Sequence, residues 1–247
     1  MGISMTGTPD LQLHSQPTVQ REQVYRAGDT PHTLDYENPR RLKLNKIMAG
    51  VALFLLAPLL LAIAVMIKLT SKGPIIYTQS RVGLDRRRDD GANANHRVQD
   101  LGGKPFRIYK FRTMTVDAEQ ASGAIWAQKN DPRVTWFGGL LRKSRLDELP
   151  QLFNVLRGEM SMVGPRPERP AIFADLRDKV PTYQYRQRTR PGITGLAQIN
   201  QQYDQNLDDV RRKVAYDLEY IEHQSMMEDL RIMVKTVPVV LFRRGGW

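Results

Sequence analysis

The sequence predicts a mainly α-helical chain with a small antiparallel β element, organised around one helix suited to a lipid bilayer. Three observations predict it. Ile47 to Ile67 is a run of 21 residues without a charge. Ile75 to Gln79 and Lys104 to Met114 are short stretches rich in β-branched and aromatic residues, the pattern of paired strands. Most of the remainder repeats apolar residues at helical spacing. With 247 residues, 41% of them hydrophobic, the chain is long and apolar enough to bury a core.

Taken in order, residues 1–39 are rich in Gln, Thr, Pro and His, lack periodicity and read as a flexible polar tail. Residues 40–72 hold the apolar run. A straight helix of that run would reach roughly 31 Å, about one hydrocarbon core. Some forty polar residues precede it and no small-residue cleavage site follows, which excludes a cleavable signal peptide. Pro58 sits at its middle and removes a backbone hydrogen bond, so each half would reach only about 15 Å. Both flanks are basic, with Arg40, Arg41, Lys43 and Lys46 before and Lys68 and Lys72 after. Such flanks favour the cytoplasmic side, and a spanning helix would strand one of them. A re-entrant helix-break-helix at Ala57-Pro58 satisfies both facts; a Pro-kinked spanning helix is the competing reading.

Residues 73–247 form the rest of the fold. The two strand candidates enclose residues 85–103, a polar Asn/Asp/Arg-rich insert. Helical spacing then marks Val134 to Leu141, Leu149 to Leu156, Pro170 to Tyr185, Leu207 to Ile221 and Met227 to Phe242. The last of these is broken by Pro238 and ends near Arg243, Arg244 and Trp247, which suits either the membrane interface or the edge of the core.

Composition closes off several classes. There is no cysteine, hence no disulfide scaffold, catalytic thiol or Cys-based zinc site. No HExxH, P-loop or GxGxxG is present. The net charge of +11 is localised: Arg40 to Arg112 holds 15 Lys and Arg against 4 Asp and Glu, and the rest balances at 22 against 22. A basic band confined to the surroundings of the apolar run points to anionic lipid or a lipid-proximal anionic substrate, and away from nucleic acid.

The chemistry concentrates between Leu140 and Arg169. Asp147 and Glu148 are adjacent carboxylates before Pro150, a residue favoured in the first turn of a helix. The positive end of that helix would keep both ionised, fit for nucleophilic attack on phosphorus or for holding a hard cation such as Mg²⁺. Acidic residues before a helix are equally routine capping groups. Their company raises the functional reading. Gly164-Pro165-Arg166-Pro167 is a stiff turn presenting an arginine, Arg190-Pro191-Gly192-Ile193-Thr194-Gly195 repeats the pattern, and Lys110 and Arg112 flank Phe111. Arginines on rigid turns grip phosphate oxygens.

These motifs, in their order, resemble the bacterial sugar transferases, the small monotopic phosphoglycosyl transferases. The resemblance runs from about Leu42 to Leu241 through the apolar helix with Pro58, Gln79-Ser80-Arg81-Val82-Gly83, Lys110-Phe111-Arg112-Thr113-Met114 and Asp131-Pro132-Arg133-Val134-Thr135. It continues through Leu146-Asp147-Glu148-Leu149-Pro150-Gln151, Val163-Gly164-Pro165-Arg166-Pro167 and Pro191-Gly192-Ile193-Thr194-Gly195. It implies a compact cytosolic catalytic domain with interfacial helices on the bacterial cytoplasmic membrane. It implies transfer of a sugar-1-phosphate from a UDP-sugar to a polyprenyl phosphate, with release of UMP. Asp147 would be the nucleophile and Glu148 its metal-binding or proton-handling neighbour, with Mg²⁺ as cofactor. Arg166, Lys110, Arg112 and Arg190 would hold phosphates, and larger relatives suggest a homodimer. The rival is a non-catalytic membrane-surface protein that binds anionic lipid. Two departures stand out: Ala57 precedes Pro58 where the family often has Ser, and Ser144-Arg145 precedes Leu146 where Ser or Thr-Ser is common.

Overall fold

The computed structural model describes residues 38–85, 102–116, 118, 131–201, 204 and 206–241. The polar tail and nearly all of the 85–103 insert lie outside the described residues, as does the Arg243 to Trp247 terminus.

The chain begins with α1 (Pro39–Thr70), whose first turn is capped by the Asn38 side chain accepting from the Arg40 and Arg41 amides. Pro58 lies inside α1 and does not end it. The lost hydrogen bond is one among many, and the turns on either side carry the helix through. Of its window of highest hydropathy only 11% is buried, and Val51, Phe54, Leu55, Leu61 and Leu69 are exposed. The opposite stripe packs against the domain. Ala49 sits with Phe106, Ile108, Leu152 and Val155, whereas Ile63 and Ile67 sit with Phe111 and Leu141. Each fully buried Ile contributes about 1.5–3 kcal/mol.

Both ends of α1 are fastened to this one domain. At the start, Arg41 donates from Nε to Asp229 Oδ2 (2.7 Å), and from Nη2 to Asp229 Oδ1 (3.1 Å), the Tyr220 hydroxyl and the Val163 carbonyl (3.3 Å). At the far end, Arg112 donates to the carbonyls of Ser71 and Lys72 (both 2.8 Å) and to Ser71 Oγ (2.6 Å).

The expected hairpin partners are present: β1 (Ile76–Val82) pairs antiparallel with β2 (Pro105–Phe111), Ile76 opposite Phe111 and Val82 opposite Pro105. The helices follow in the expected places as α2 (Trp136–Lys143), α3 (Gln151–Leu156), α4 (Pro170–Lys179), α6 (Leu207–Glu222) and α7 (Met226–Leu241). The stretch expected to remain helical to Tyr185 instead leaves α4 at Lys179 and becomes 3-10 from Pro181, because proline cannot supply the next amide. A short α5 (Leu196–Asn200) comes between.

A second β pair was not anticipated. β3 (Ser161–Val163) and β4 (Gly192–Thr194) run parallel, Ser161 opposite Gly192 and Val163 opposite Thr194. It joins the two Gly/Pro motifs backbone to backbone. A Cβ on Gly192 would stand 2.1 Å from the Gly164 amide nitrogen, and one on Gly164 would stand 2.4 Å from the Arg190 carbonyl. These glycines permit the two turns to pack on each other. The main core lies beyond this pair, where Val163, Phe173, Leu176, Tyr183, Val214, Tyr220 and Ile232 meet.

Candidate active site

The site is built on the link between α2 and α3. Ser144 closes α2 by donating from Oγ to the carbonyls of Leu140 (2.9 Å) and Leu141 (3.1 Å). Arg145 then adopts a left-handed backbone (φ 58°, ψ 12°), and Leu146–Glu148 form one 3-10 turn before Pro150 leads into α3. Leu146 packs against Ile63, Ile67, Phe111 and Leu141, which fixes the turn against the second half of α1. Asn154 holds α3 to β2, accepting from the Tyr109 amide and donating to the Arg107 carbonyl (2.7 Å).

The two carboxylates of that turn have different surroundings. Glu148 is buried and saturated: Lys110 Nζ donates to Oε1 at 3.0 Å, and Arg166 forks onto both oxygens at 2.5 Å and 3.1 Å. Burial alone would raise its pKa, but Arg166 and Lys110 overcome it and hold Glu148 well below the usual carboxylate range. Asp147 retains 7% of its surface, and among the described residues nothing donates a hydrogen bond to it. Burial is the largest influence and raises its pKa, with Glu148 adding to the effect against Lys110, Arg142 and Arg166. The helix terminus expected to keep both ionised is thus outweighed: neighbouring cations and desolvation dominate and push the two in opposite directions, and α3 is only six residues long.

Of the basic residues singled out from sequence, Lys110 and Arg166 reach the carboxylate turn. The other two are placed elsewhere. Arg112 is buried beneath the end of α1, and Arg190 is buried with its Nε donating to the Gly158 carbonyl (2.9 Å). Arg142 Nε donates to Thr113 Oγ1 (3.1 Å).

Sequence reading missed the support behind Arg166. Arg186 donates to the Arg166 carbonyl (2.9 Å) and from Nε to Asp217 (2.6 Å), and it stacks over Tyr183. Arg81 donates to the Pro167 carbonyl (2.9 Å), and Lys213 binds Glu168 (2.8 Å) and Asp204 (2.9 Å). Burial lowers the Arg81 pKa to about 10, and the Lys213 charge leads in lowering Glu168 to about 2 against its own burial. Arg81 lay within a motif already noted. Arg186 carried no signal, since an arginine in a polar stretch ordinarily faces solvent.

A long, largely exposed apolar helix fastened at both ends to a small helical domain, with a cation-ringed carboxylate pair beside it, is the pattern of a membrane-associated protein. The chain belongs to the bacterial sugar transferase family, whose model matches residues 39–243. It is 43% identical over 200 residues to a UDP-N-acetylgalactosamine-undecaprenyl-phosphate N-acetylgalactosaminephosphotransferase of Aeromonas hydrophila, covering 81% of this chain and 43% of that protein. It is 43% identical over 193 residues to a UDP-glucose:undecaprenyl-phosphate glucose-1-phosphate transferase of Klebsiella pneumoniae, covering 77% of this chain and 38% of the relative. A protein of the same name from Caulobacter vibrioides is 40% identical over 204 residues, covering 82% and 70%. The chain therefore spans less than half the length of the first two relatives and most of the third.

Proposed function

We propose that the chain transfers a sugar-1-phosphate from a UDP-sugar to a polyprenyl phosphate and so starts assembly of a membrane-borne glycan. One observation carries the reading. Asp147 is a carboxylate with no hydrogen-bond donor of its own among the described residues, next to a Glu148 whose oxygens are already occupied by Lys110 and Arg166. Glu148 thereby acts as the post that fixes two cations beside Asp147, and the nucleophile is left available.

In the first half-reaction an Asp147 carboxylate oxygen bonds to the phosphorus that carries the sugar, and the bond from that phosphorus to UMP breaks. UMP leaves with the bonding pair. In the second, a polyprenyl phosphate oxygen bonds to the same phosphorus, and the bond to Asp147 breaks and restores the carboxylate. Two steps allow one polyanion to leave before the other enters. Arg166 and Lys110 steady the charge on the transferred group. Of the two carboxylates expected to hold Mg²⁺, Glu148 has its oxygens taken by Lys110 and Arg166, so Asp147 is the one that would offer hard oxygens, and Mg²⁺ needs only one or two carboxylates beyond phosphate oxygens and water. Bound there, Mg²⁺ would supply neutralisation of diphosphate charge.

A re-entrant course for α1, with the domain on the cytoplasmic face of the inner membrane, is supported by the fastening of both helix ends to one domain through Arg41 and Arg112. A spanning helix would carry those ends to opposite sides. Exposed Trp136, Leu140, Phe153, Met227 and Val234 supply further apolar surface for interfacial contact. By analogy with larger relatives the protein works as a homodimer.

The deciding experiment incubates purified protein with polyprenyl phosphate, Mg²⁺ and a panel of UDP-sugars that includes glucose and N-acetylgalactosamine. UMP release and a phosphosugar adduct on Asp147 by mass spectrometry are expected; no UMP from any donor would favour passive binding of anionic lipid. Single cysteines placed near Asn38 and Lys72 in this cysteine-free chain should both react from the cytoplasmic side. Opposite accessibility would reject the re-entrant course.

A further inference from the structure

Five of the chain's ten methionines line one groove of about 270 Å³ between the first turns of α1 and those of α7. Leu44 and Met48 form the α1 wall, Met226, Met227, Leu230 and Met233 form the α7 wall, and Met162 of β3 lies between them. The polar residues of the lining are all engaged within the protein. Arg41 and Asp229 bind each other and the Tyr220 hydroxyl, and Asn45 donates to the Arg41 carbonyl (2.9 Å) and accepts from the Met162 amide (2.7 Å). What the groove offers a ligand is therefore hydrocarbon contact, and an apolar cavity of about 150 Å³ already suffices for benzene. Both walls continue into exposed apolar stripes at helical spacing: Leu44 and Met48 into Val51 and Leu55, and Leu230 into Val234 and Val237. The groove thus opens onto the face that α1 presents to lipid, and its occupant is drawn from the bilayer.

We propose that this groove holds part of the isoprenoid chain of the polyprenyl phosphate acceptor. β3 leads from Met162 to Arg166 in four residues, at most about 14 Å of chain, and Arg166 stands on Glu148 beside Asp147. A lipid whose phosphate meets Asp147 has its hydrocarbon tail within reach of the groove, whereas a bulk phospholipid has no second contact to draw it there. An isoprenoid also carries a methyl branch and a double bond in every unit. Unbranched, polarizable methionines fit such an irregular outline better than rigid side chains do. The identity of the lipid rests on the proposed reaction; occupation of the site is read without turnover.

The full chain in nanodiscs of phosphatidylethanolamine and phosphatidylglycerol would be irradiated with polyprenyl phosphate bearing a diazirine in the phosphate-proximal part of its chain. A parallel sample would carry phosphatidylglycerol with a diazirine in its acyl chain, at the same mole fraction. Peptide mass spectrometry is expected to place the isoprenoid label on Met48, Met162 and Met233, with the acyl label there clearly weaker. Met233→Trp fills the groove and should cut the isoprenoid label on Met162 roughly tenfold, equivalent to losing about two buried methylene groups. Should that variant fail to fold, Met227→Trp, at a 73% exposed position, gives the same reading. Equal acyl labelling of the groove, or isoprenoid label confined to the exposed face of α1, overturns the proposal, as does unchanged labelling in the Trp variant. Groove labelling in a parent that releases no UMP from any donor rejects the reaction and keeps the site. UMP release without groove labelling rejects the site and keeps the reaction.

Discussion

Two clusters of buried charge share the Gly164–Glu168 loop, and they are balanced differently. Behind it, Arg81, Arg186 and Lys213 meet Glu168, Asp204 and Asp217, one positive group for each negative. In front of it, Lys110, Arg142, Arg145 and Arg166 surround Asp147 and Glu148. The rear cluster is electrically complete and holds the loop by its carbonyls. In the front cluster Glu148 is filled by Lys110 and Arg166 while Asp147 accepts no hydrogen bond among the described residues, which separates a reactive carboxylate from a structural brace by occupancy.

The largest expected effect breaks the front cluster at its nucleophile. Asp147→Asn should lower UMP release by at least about 10⁴-fold while liposome flotation still recovers the protein with lipid. Because Asn is neutral where burial disfavours a charge, its thermal midpoint should not fall. Substantial residual turnover would remove Asp147 from its role.

The rear cluster should fail by unfolding. Asp217→Leu leaves Arg186 buried without its partner and should cost about 3–5 kcal/mol in chemical denaturation. The paired change Arg186→Met with Asp217→Leu should restore most of that loss. Equal destabilisation by the single and double variants would show that the pair is not a closed unit.

A third change sharpens the contrast. Arg166→Ala should reduce kcat/KM for the donor by about 10²-fold, the size of losing one preorganised charge-assisted donor. Stability should change by under about 1 kcal/mol, because Lys110 remains on Glu148 and Arg166 is partly exposed.

The smallest effect is a pH dependence of the rear cluster. Glu168 titrates near 2 in the folded protein against an ordinary 4.5, led by the Lys213 charge. Its stabilising contribution is therefore complete above about 4.5 and is lost as pH falls toward 2. Glu168→Gln should flatten the stability profile across that window, and an unchanged slope would mean that the carboxylate is not held by Lys213.

Much of this architecture was legible in the residues. Local rules placed α1, the β1–β2 hairpin and the Asp147–Glu148 turn before Pro150, because hydrophobic periodicity and proline act within a few residues of chain. Lys110 and Arg166, singled out from their rigid, aromatic or Pro-flanked settings, both reach Glu148. Tertiary structure alone decided which carboxylate is occupied, that Arg112 and Arg190 hold backbone carbonyls, that Arg145 is strained, and that both ends of α1 meet one domain. Those outcomes depend on distances between segments up to 188 residues apart, such as Arg41 and Asp229. Charge interactions are set by separation and burial, and neither is written in the spacing of residues along the chain.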